Sequence, residues 1–516
     1  MGRKKILMFS LLFIFPFLVF SQEKKIELSL QDCIVRALKS NLDVSVQLYT
    51  PKIAETSVLQ AQSAYSPVFS INSNWNENNR KSYTILDGAT ILESDFTSLN
   101  LSLQKKFELG TTVTFTLGTN RSYSNSSFYT YNPSYNSQYR LDIRQPLLKN
   151  FGSKINNYQI NVASNNHQIS LNQLKLNLIN LVYNVEQAYW NLIFAIEDLK
   201  VKQQSLKLAK DLLEKNRLQV KVGTLPPMDV LASEAEVASR EGDVIVAESA
   251  VKNAEDNLKR LLNFEQMEWD KEIFPVSKPE FETREFKIDE LIKIALSNRA
   301  ELKQAELELA NKELQISYTK NQLLPSIDLV GTFYSTGVSG DIPIYDSADP
   351  FNRRIIGKIK GSTVDSLDEA FKNRYKNYAV GLTISYPLFN SAEKANYARA
   401  QLEAEQTSLQ LKSLQQQIIV EVRTAVREVE TAAKRVEAAK VARELAEKKL
   451  QAEEKKLAVG LSTNYQVLQF QRDLVTAQTS ELRALIDYKL ALSKLEKALG
   501  RTLESNGINF EEVSNR

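Results

Sequence analysis

Residues 171–220 read LNQLKLNLINLVYNVEQAYWNLIFAIEDLKVKQQSLKLAKDLLEKNRLQV, and their spacing decides the fold. Steps of three and four from Leu171 land on Leu174, Leu178, Leu181, Val185, Ala188, Leu192, Ala195 and Leu199. They continue through Lys202, Leu206, Ala209, Leu213, Asn216 and Val220, with only Lys202 and Asn216 polar. A sustained period near 3.5 specifies helices that supercoil on neighbours, and alanine along the seam permits close approach. The pattern returns, in register, in the second half of the chain at Val422, Ala425, Val429, Ala432, Val436, Ala439, Arg443, Ala446, Leu450, Glu453 and Leu457. The helices predicted here, Ser153 to Lys221 and Ser391 to Ala458, would each be roughly 100 Å long at about 1.5 Å per residue. Such elements suit a rod or tunnel wall.

Other landmarks recur in the same order. Ala37-Leu38-Lys39-Ser40-Asn41 returns as Ala295-Leu296-Ser297-Asn298, and a proline follows at the same offset in each copy, Pro67 and Pro325. Strand-like text then ends at Gln145-Pro146-Leu147 and Tyr386-Pro387-Leu388. Each long helix ends at a Val-Gly pair, Val222-Gly223 or Val459-Gly460, before a shorter helix. The organisation is therefore a first repeat over 22–262 (helix, strands 67–147, long helix 153–221, helix 226–263) and a linker over 263–287. A second repeat over 288–500 (helix, strands 325–388, long helix 391–458, helix 463–499) and a tail over 501–516 follow. The short helices opening the repeats are expected over 29–64 and 288–322.

The strand regions follow a period of two. Tyr139, Leu141 and Ile143 alternate with Arg140, Asp142 and Arg144, and Val380, Leu382 and Ile384 with Gly381, Thr383 and Ser385. Leu99, Leu101, Leu103 and Val113, Phe115, Leu117 behave likewise. Strands with one apolar and one polar face fit a transmembrane barrel, and equally a half-buried soluble sheet. Phe69, Trp75, Phe107, Tyr123 and Tyr129 are read as aromatics at the strand ends. A strand pair near 98–108 and 111–122 lacks a second-half counterpart, so it either widens the barrel or forms an external hairpin. Residues 337–377 read as a long loop outside the cell.

The N-terminus reads as a cleaved signal peptide over 1–21: Arg3, Lys4 and Lys5, then an apolar run from Ile6 to Phe20. Removing it takes three basic residues from a total of 65 Lys and Arg against 62 Asp and Glu, leaving a balanced chain. That balance argues against a nucleic-acid partner. One cysteine, Cys33, permits no internal disulfide. Exclusion of a transmembrane helix leaves a barrel as the route into a membrane. Gly223 and Gly460 suit the left-handed position that ends a helix, and Pro226 and Pro227 the first turn of the next.

Together, the doubled Ala-Leu…Asn helix starts, Pro67 and Pro325, Pro146-Leu147 and Pro387-Leu388, and the paired Val-Gly turns resemble the TolC-like outer membrane efflux proteins. The resemblance covers essentially the whole mature chain. It implies a mixed membrane α+β fold: a trimeric transmembrane β-barrel in outer-membrane lipid, continued by a long periplasmic α-helical coiled-coil barrel. It implies a homotrimer serving a tripartite efflux pump or type I secretion system, as a passive exit duct for substrates from an inner-membrane transporter. It implies that a periplasmic adaptor protein docks on the hairpin tips, Val222, Gly223, Thr224, Leu225 and Val459, Gly460, Leu461, Ser462. Pro67, Pro146, Pro325 and Pro387 become strand–helix junctions. At the periplasmic aperture the chain keeps Asp229, but Gln466 and Gln469 stand where relatives with a tightly shut tip carry acids. Leu457 and Ser462 stand where those relatives carry Tyr and Arg. A weaker cation preference and a different closing mechanism are the expectations.

No catalytic, cofactor or metal constellation appears. His167 is the single histidine, and clusters such as Glu447-Lys448-Lys449 and Glu453-Glu454-Lys455-Lys456 read as solvated helix faces. The rival reading, a periplasmic structural coiled-coil protein without a pore, leaves the doubled strands unexplained.

Overall fold

The computed structural model describes residues 25–126, 128–347 and 354–514, so the signal peptide over 1–21 lies outside the described residues. In chain order the elements are β1 (Lys25–Leu28), α1 (Leu30–Ser40), α2 (Leu42–Gln47), α3 (Tyr49–Gln62), β2 (Val68–Lys81), β3 (Ile91–Lys106), β4 (Thr112–Ser124) and β5 (Ser134–Pro146). Then come α4 (Ser153–Asn156), α5 (Tyr158–Lys221), α6 (Pro227–Leu261), β6 (Glu272–Pro275), α7 (Ile288–Asn298) and α8 (Ala300–Gln322). The chain continues with β7 (Ser326–Gly340), β8 (Ile342–Tyr345), β9 (Ile355–Ile359), α9 (Thr363–Phe371) and β10 (Tyr375–Ser385). It ends with α10 (Ser391–Ala458), α11 (Asn464–Ala498), α12 (Thr502–Ser505) and α13 (Phe510–Ser514). Two units are distinguished: one holds residues up to 46, 177–298 and from 418 on, the other 47–176 and 299–417.

The second of these units carries the main sheet, with strand order β10-β7-β5-β4-β3-β2 and every pair antiparallel. The strand pair without a counterpart, β3 and β4, lies inside this sheet between β2 and β5. Trp75, expected at a strand end, lies mid-strand in β2, on the same side as Ile71.

Residues 337–377 are not simply a loop. Strand β7 runs on to Gly340, β8 and β9 form a hairpin, and α9 lies against β7, β5 and β4. Ser366 Oγ meets Ser137 Oγ at 2.6 Å, Ser335 donates to the Ala370 carbonyl at 2.8 Å, and Tyr139 stacks on Phe371 at 5.3 Å. A Cβ at Gly337 would stand 2.1 Å from the Ser366 carbonyl oxygen, so only glycine admits the helix this close.

Three predicted helices are interrupted. The segment over 29–64 breaks at Asn41, whose side chain accepts from Val44 N and donates to the Leu261 carbonyl. It breaks again before α3, where Pro51 has no N–H for the carbonyl of Gln47. The segment over 288–322 breaks at Arg299, whose backbone is extended. The long helix from Ser153 breaks at Asn157, whose Oδ1 accepts from Tyr65 at 2.6 Å. Beyond it, α5 and the 68-residue α10 run without interruption.

In the other unit the linker and tail are folded parts of the core. β6, from within 263–287, pairs in parallel with β1. Buried Tyr189 donates to the Leu28 carbonyl at 3.1 Å and accepts from Ser277 N at 3.0 Å, tying that pair to α5. In the tail, Asn506 donates to buried Glu186 at 2.9 Å.

Candidate functional site

The sheet has two chemically distinct faces. On one lie Phe69, Ile71, Leu103, Phe115, Ile143 and Leu382, put in common rows by the strand registers and all exposed. On the other lie Asn72, Asn100 and Gln138 in one row, and Ser70, Ser102, Thr116 and Arg140 in the next. Hydrogen bonds join its neighbours: Ser70 to Ser102 at 2.7 Å and Asn136 to Asn120 at 3.2 Å. Near the junction end the polar face becomes charged, with Arg144–Asp328 and Arg140–Asp142 each at 2.7 Å. An exposed apolar stripe of this extent would be costly in water. It suits lipid, and the polar face suits a wet interior.

The four prolines stand where the sheet meets the helices. Pro67 and Pro325 immediately precede β2 and β7; Pro146 closes β5, and Pro387 follows β10 by two residues. The turn after Pro146 is fastened by Asn321, which accepts from Asn150 N at 2.8 Å and donates to the Leu148 carbonyl at 3.1 Å.

Both Val-Gly turns have the same backbone. Gly223 and Gly460 sit at φ +80° and +77°, where L side chains are strained, and the N–H of Thr224 and of Leu461 reaches back to the carbonyls of Gln219 and Lys456. Val222, Gly223, Thr224, Val459, Gly460 and Leu461 are exposed, and Leu225 and Ser462 half-buried. Asp229 lies in the first turn of α6 and Gln466 in that of α11. Gln466 N is capped by Thr463 Oγ1 at 3.3 Å, and Gln469 donates to Asp473 at 3.1 Å. Leu457 packs on an apolar cluster of Leu212, Leu450, Val467 and Leu468.

The polar residues interrupting the heptads all have partners. Lys202 pairs with Asp243 at 3.8 Å, Asn216 donates to Ser233 at 2.7 Å, and Arg443 meets Glu481 at 2.6 Å. Glu453 accepts from Ser462 at 2.6 Å and is buried, which corrects the reading of its cluster as wholly solvated. Hydrogen bonds from Ser462 and Lys456 hold its carboxyl below the usual glutamate range.

One group escaped the sequence reading. Arg240, 4% exposed, donates to Glu236 at 2.8 Å, to the Ser205 carbonyl at 2.7 Å and to Gln471 at 3.2 Å. Arg472 approaches the same Glu236 at 2.8 Å. Three helices, α5, α6 and α11, are thus joined through the buried Glu236–Arg240 pair. Glu236 and Arg240 are four apart, so an i,i+4 pair was visible in the sequence; their burial was not.

Residues 108–263 and 291–501 match the family model described as outer membrane efflux protein. The chain belongs to that family. Efflux proteins of this kind are channels of the outer membrane rather than enzymes, and that is the class of this protein. The fold is similar to that of the outer-membrane channel OprN (TM-score 0.66, 15% identity, covering 91% of this chain and 89% of that one). It is similar to the CmeC channel of Campylobacter jejuni (0.65, 15%, 94% and 89%). The same holds for the open state of the MtrE channel of Neisseria gonorrhoeae (0.60, 19%, 92% and 89%). No curated protein matches it in sequence.

Cys33 lies fully buried in α1, where loss of hydration pushes its thiol up to about 12; it is a packing residue. His167 lies in α5 and its carbonyl accepts from Ser170. Among the described residues no helix is long and apolar enough to cross a membrane, which says nothing of a barrel.

Proposed function

We propose that three copies of this efflux protein close one barrel and form the passive exit duct of an envelope-spanning transporter. An inner-membrane transporter, of a tripartite pump or a type I secretion system, delivers the substrate through a periplasmic adaptor. One observation carries the reading: the sheet exposes an apolar stripe and ends in two strands, β2 and β10, each with one edge unpaired among the described residues. Unpaired backbone in hydrocarbon costs several kcal/mol per group, so those edges need partners. Native mass spectrometry of protein extracted from outer membranes tests this, with a trimer expected. A water-soluble monomer that forms no pore would sink the proposal.

The adaptor docks on the two Val-Gly tips, which present Val222, Thr224, Val459 and Leu461 to solvent. Photo-crosslinkers at Thr224 and Leu461 should capture it, and crosslinkers on the exposed face of α10 should not. The export signal over 1–21 is removed, leaving Gln22 first; the intact mass checks this. With Gln466 and Gln469 at the aperture, the pore is expected to show little block by multivalent cations in planar bilayers. Strong block would count against an aperture whose only acid is Asp229.

A further inference from the structure

Both repeats supply the sheet with a pair of strands that run to and from the helices: β2 and β5 in the first, β7 and β10 in the second. Had each repeat given only that pair, three copies would close a barrel of twelve strands. The first repeat instead inserts β3 and β4 between its own two strands, and both are hydrogen-bonded along their length. From the six-stranded sheet we infer that the barrel closed by three copies has eighteen strands, and that the β3–β4 hairpin is a device that widens the pore. This rests on the trimer proposed above.

Three features of the sheet carry the inference. First, the inserted pair continues both faces without a break. Leu101 and Leu117 stand beside Ile71 and Tyr139 on the apolar side, while Asn100 and Gly118 stand beside Asn72 and Gln138 on the polar side. A hairpin destined to project outside the barrel would have no need of this matched alternation.

Second, the sheet closes with the right sense. β2 runs away from its junction at Pro67, and β10 runs back towards Pro387, so neighbouring copies would meet as an antiparallel pair. With six alternating strands per chain the pattern stays antiparallel around the ring.

Third, the two edges lack the features that keep exposed edges apart. Charged or kinked residues normally guard a free edge. On β2 charged residues appear only at Glu77, Arg80 and Lys81, all in its far half, and on β10 only at Lys376. Apolar residues on the two edge strands, Ile71, Trp75, Val380 and Leu382, lie exposed on the same face of the sheet. A second copy of this chain therefore fits both edges.

Barrel diameter grows about linearly with strand number, so eighteen strands give a barrel about 1.5 times as wide as twelve. The test compares the full chain with a variant lacking residues 82–128, which removes β3 and β4 and allows β2 to pair directly with β5. Val68, Gln104, Thr114 and Asp142 lie in one row, so the faces remain in phase after the deletion. A nitroxide attached through Ala379→Cys in both proteins reports the distance between copies by pulsed electron resonance; buried Cys33 stays out of reach of the label. For strands about 4.8 Å apart and tilted about 40°, the full chain should give about 30 Å and the deletion variant about 20 Å.

Native mass spectrometry on the same samples counts the copies. Three copies at the longer distance support the inference. Three copies at the shorter distance in the full chain overturn it and leave the trimer standing. A copy number other than three overturns both. If the deletion variant fails to assemble, the full chain's own distance decides between eighteen and twelve.

Discussion

Val230-Leu231 and Val467-Leu468 are the same dipeptide at the same place after the two glycine turns, one in each repeat. Leu231 is 60% exposed and Leu468 only 4%. In the second hairpin Leu468 packs with Leu450 and Val467 of the same hairpin, and with Leu212 of α5 from the first. The first hairpin holds its helices with polar groups instead, Asn216 on Ser233 and Arg217 on Glu234. Duplication has kept the turn and the heptads while the chemistry inside the two hairpins has diverged. A tip built on buried apolar side chains is stiff, whereas one built on hydrogen bonds and surface pairs can rearrange when its partners change.

The largest expected effect comes from the charge network that links both hairpins. Glu236→Ala leaves Arg240 buried without its carboxylate and releases Arg472, which should cost about 3–5 kcal/mol. Thermal unfolding in detergent measures it. Adding Arg240→Met to that variant should recover much of the loss, because the uncompensated charge is then gone. Equal melting of Glu236→Ala and the parent would show that the network holds nothing.

Next in size is the dipeptide itself. Leu468→Ala empties a packed site and should cost about 3 kcal/mol, while Leu231→Ala should cost less than about 0.5 kcal/mol in the same assay. Comparable losses at the two positions would erase the difference between the hairpins.

The backbone-level features were legible because their signals are local. A heptad or a two-residue alternation repeats within a few turns of chain, and Gly223 and Gly460 announce a left-handed turn wherever they follow a long helix. Interruptions were harder: Asn41 and Asn157 stop helices through bonds to Leu261 and Tyr65, partners that helical periodicity does not reveal. The same applies to α9, whose seat depends on the missing side chain of Gly337, and to Glu236, whose second arginine, Arg472, lies in the other repeat. Glu453 shows the ambiguity most clearly. It falls on the heptad seam and also within a charge cluster, and the partner that settles the matter, Ser462, lies beyond the turn.

A smaller effect should follow from the turns. Gly223→Ala and Gly460→Ala each force an L side chain into positive φ, at about 1–2 kcal/mol; nothing stands within 4 Å of either Cβ position, so the cost is backbone strain alone. The two losses should match, in contrast to the leucines. A clear inequality between them would mean that the turns differ in more than their side chains.

The smallest effect separates the hairpins by pH. Asn216 and Glu453 hold the same heptad position in the two repeats, and only the second can take up a proton. Hydrogen bonds from Ser462 and Lys456 favour the charged form of Glu453 in the folded chain, so its carboxyl lies below the usual range. A lowered folded value means that the unfolded chain binds protons more readily. The stabilisation is present above the ordinary glutamate value and is lost as pH falls through the folded one. Hydrogen exchange, corrected for its intrinsic pH dependence, should show amides of 453–463 losing protection on acidification while those of 216–226 keep theirs. Ser462→Ala should weaken that pH response, since one of the two bonds to the carboxylate is gone. Equal loss of protection in both tips would trace the response to something the hairpins share, and would take Glu453 out of the account.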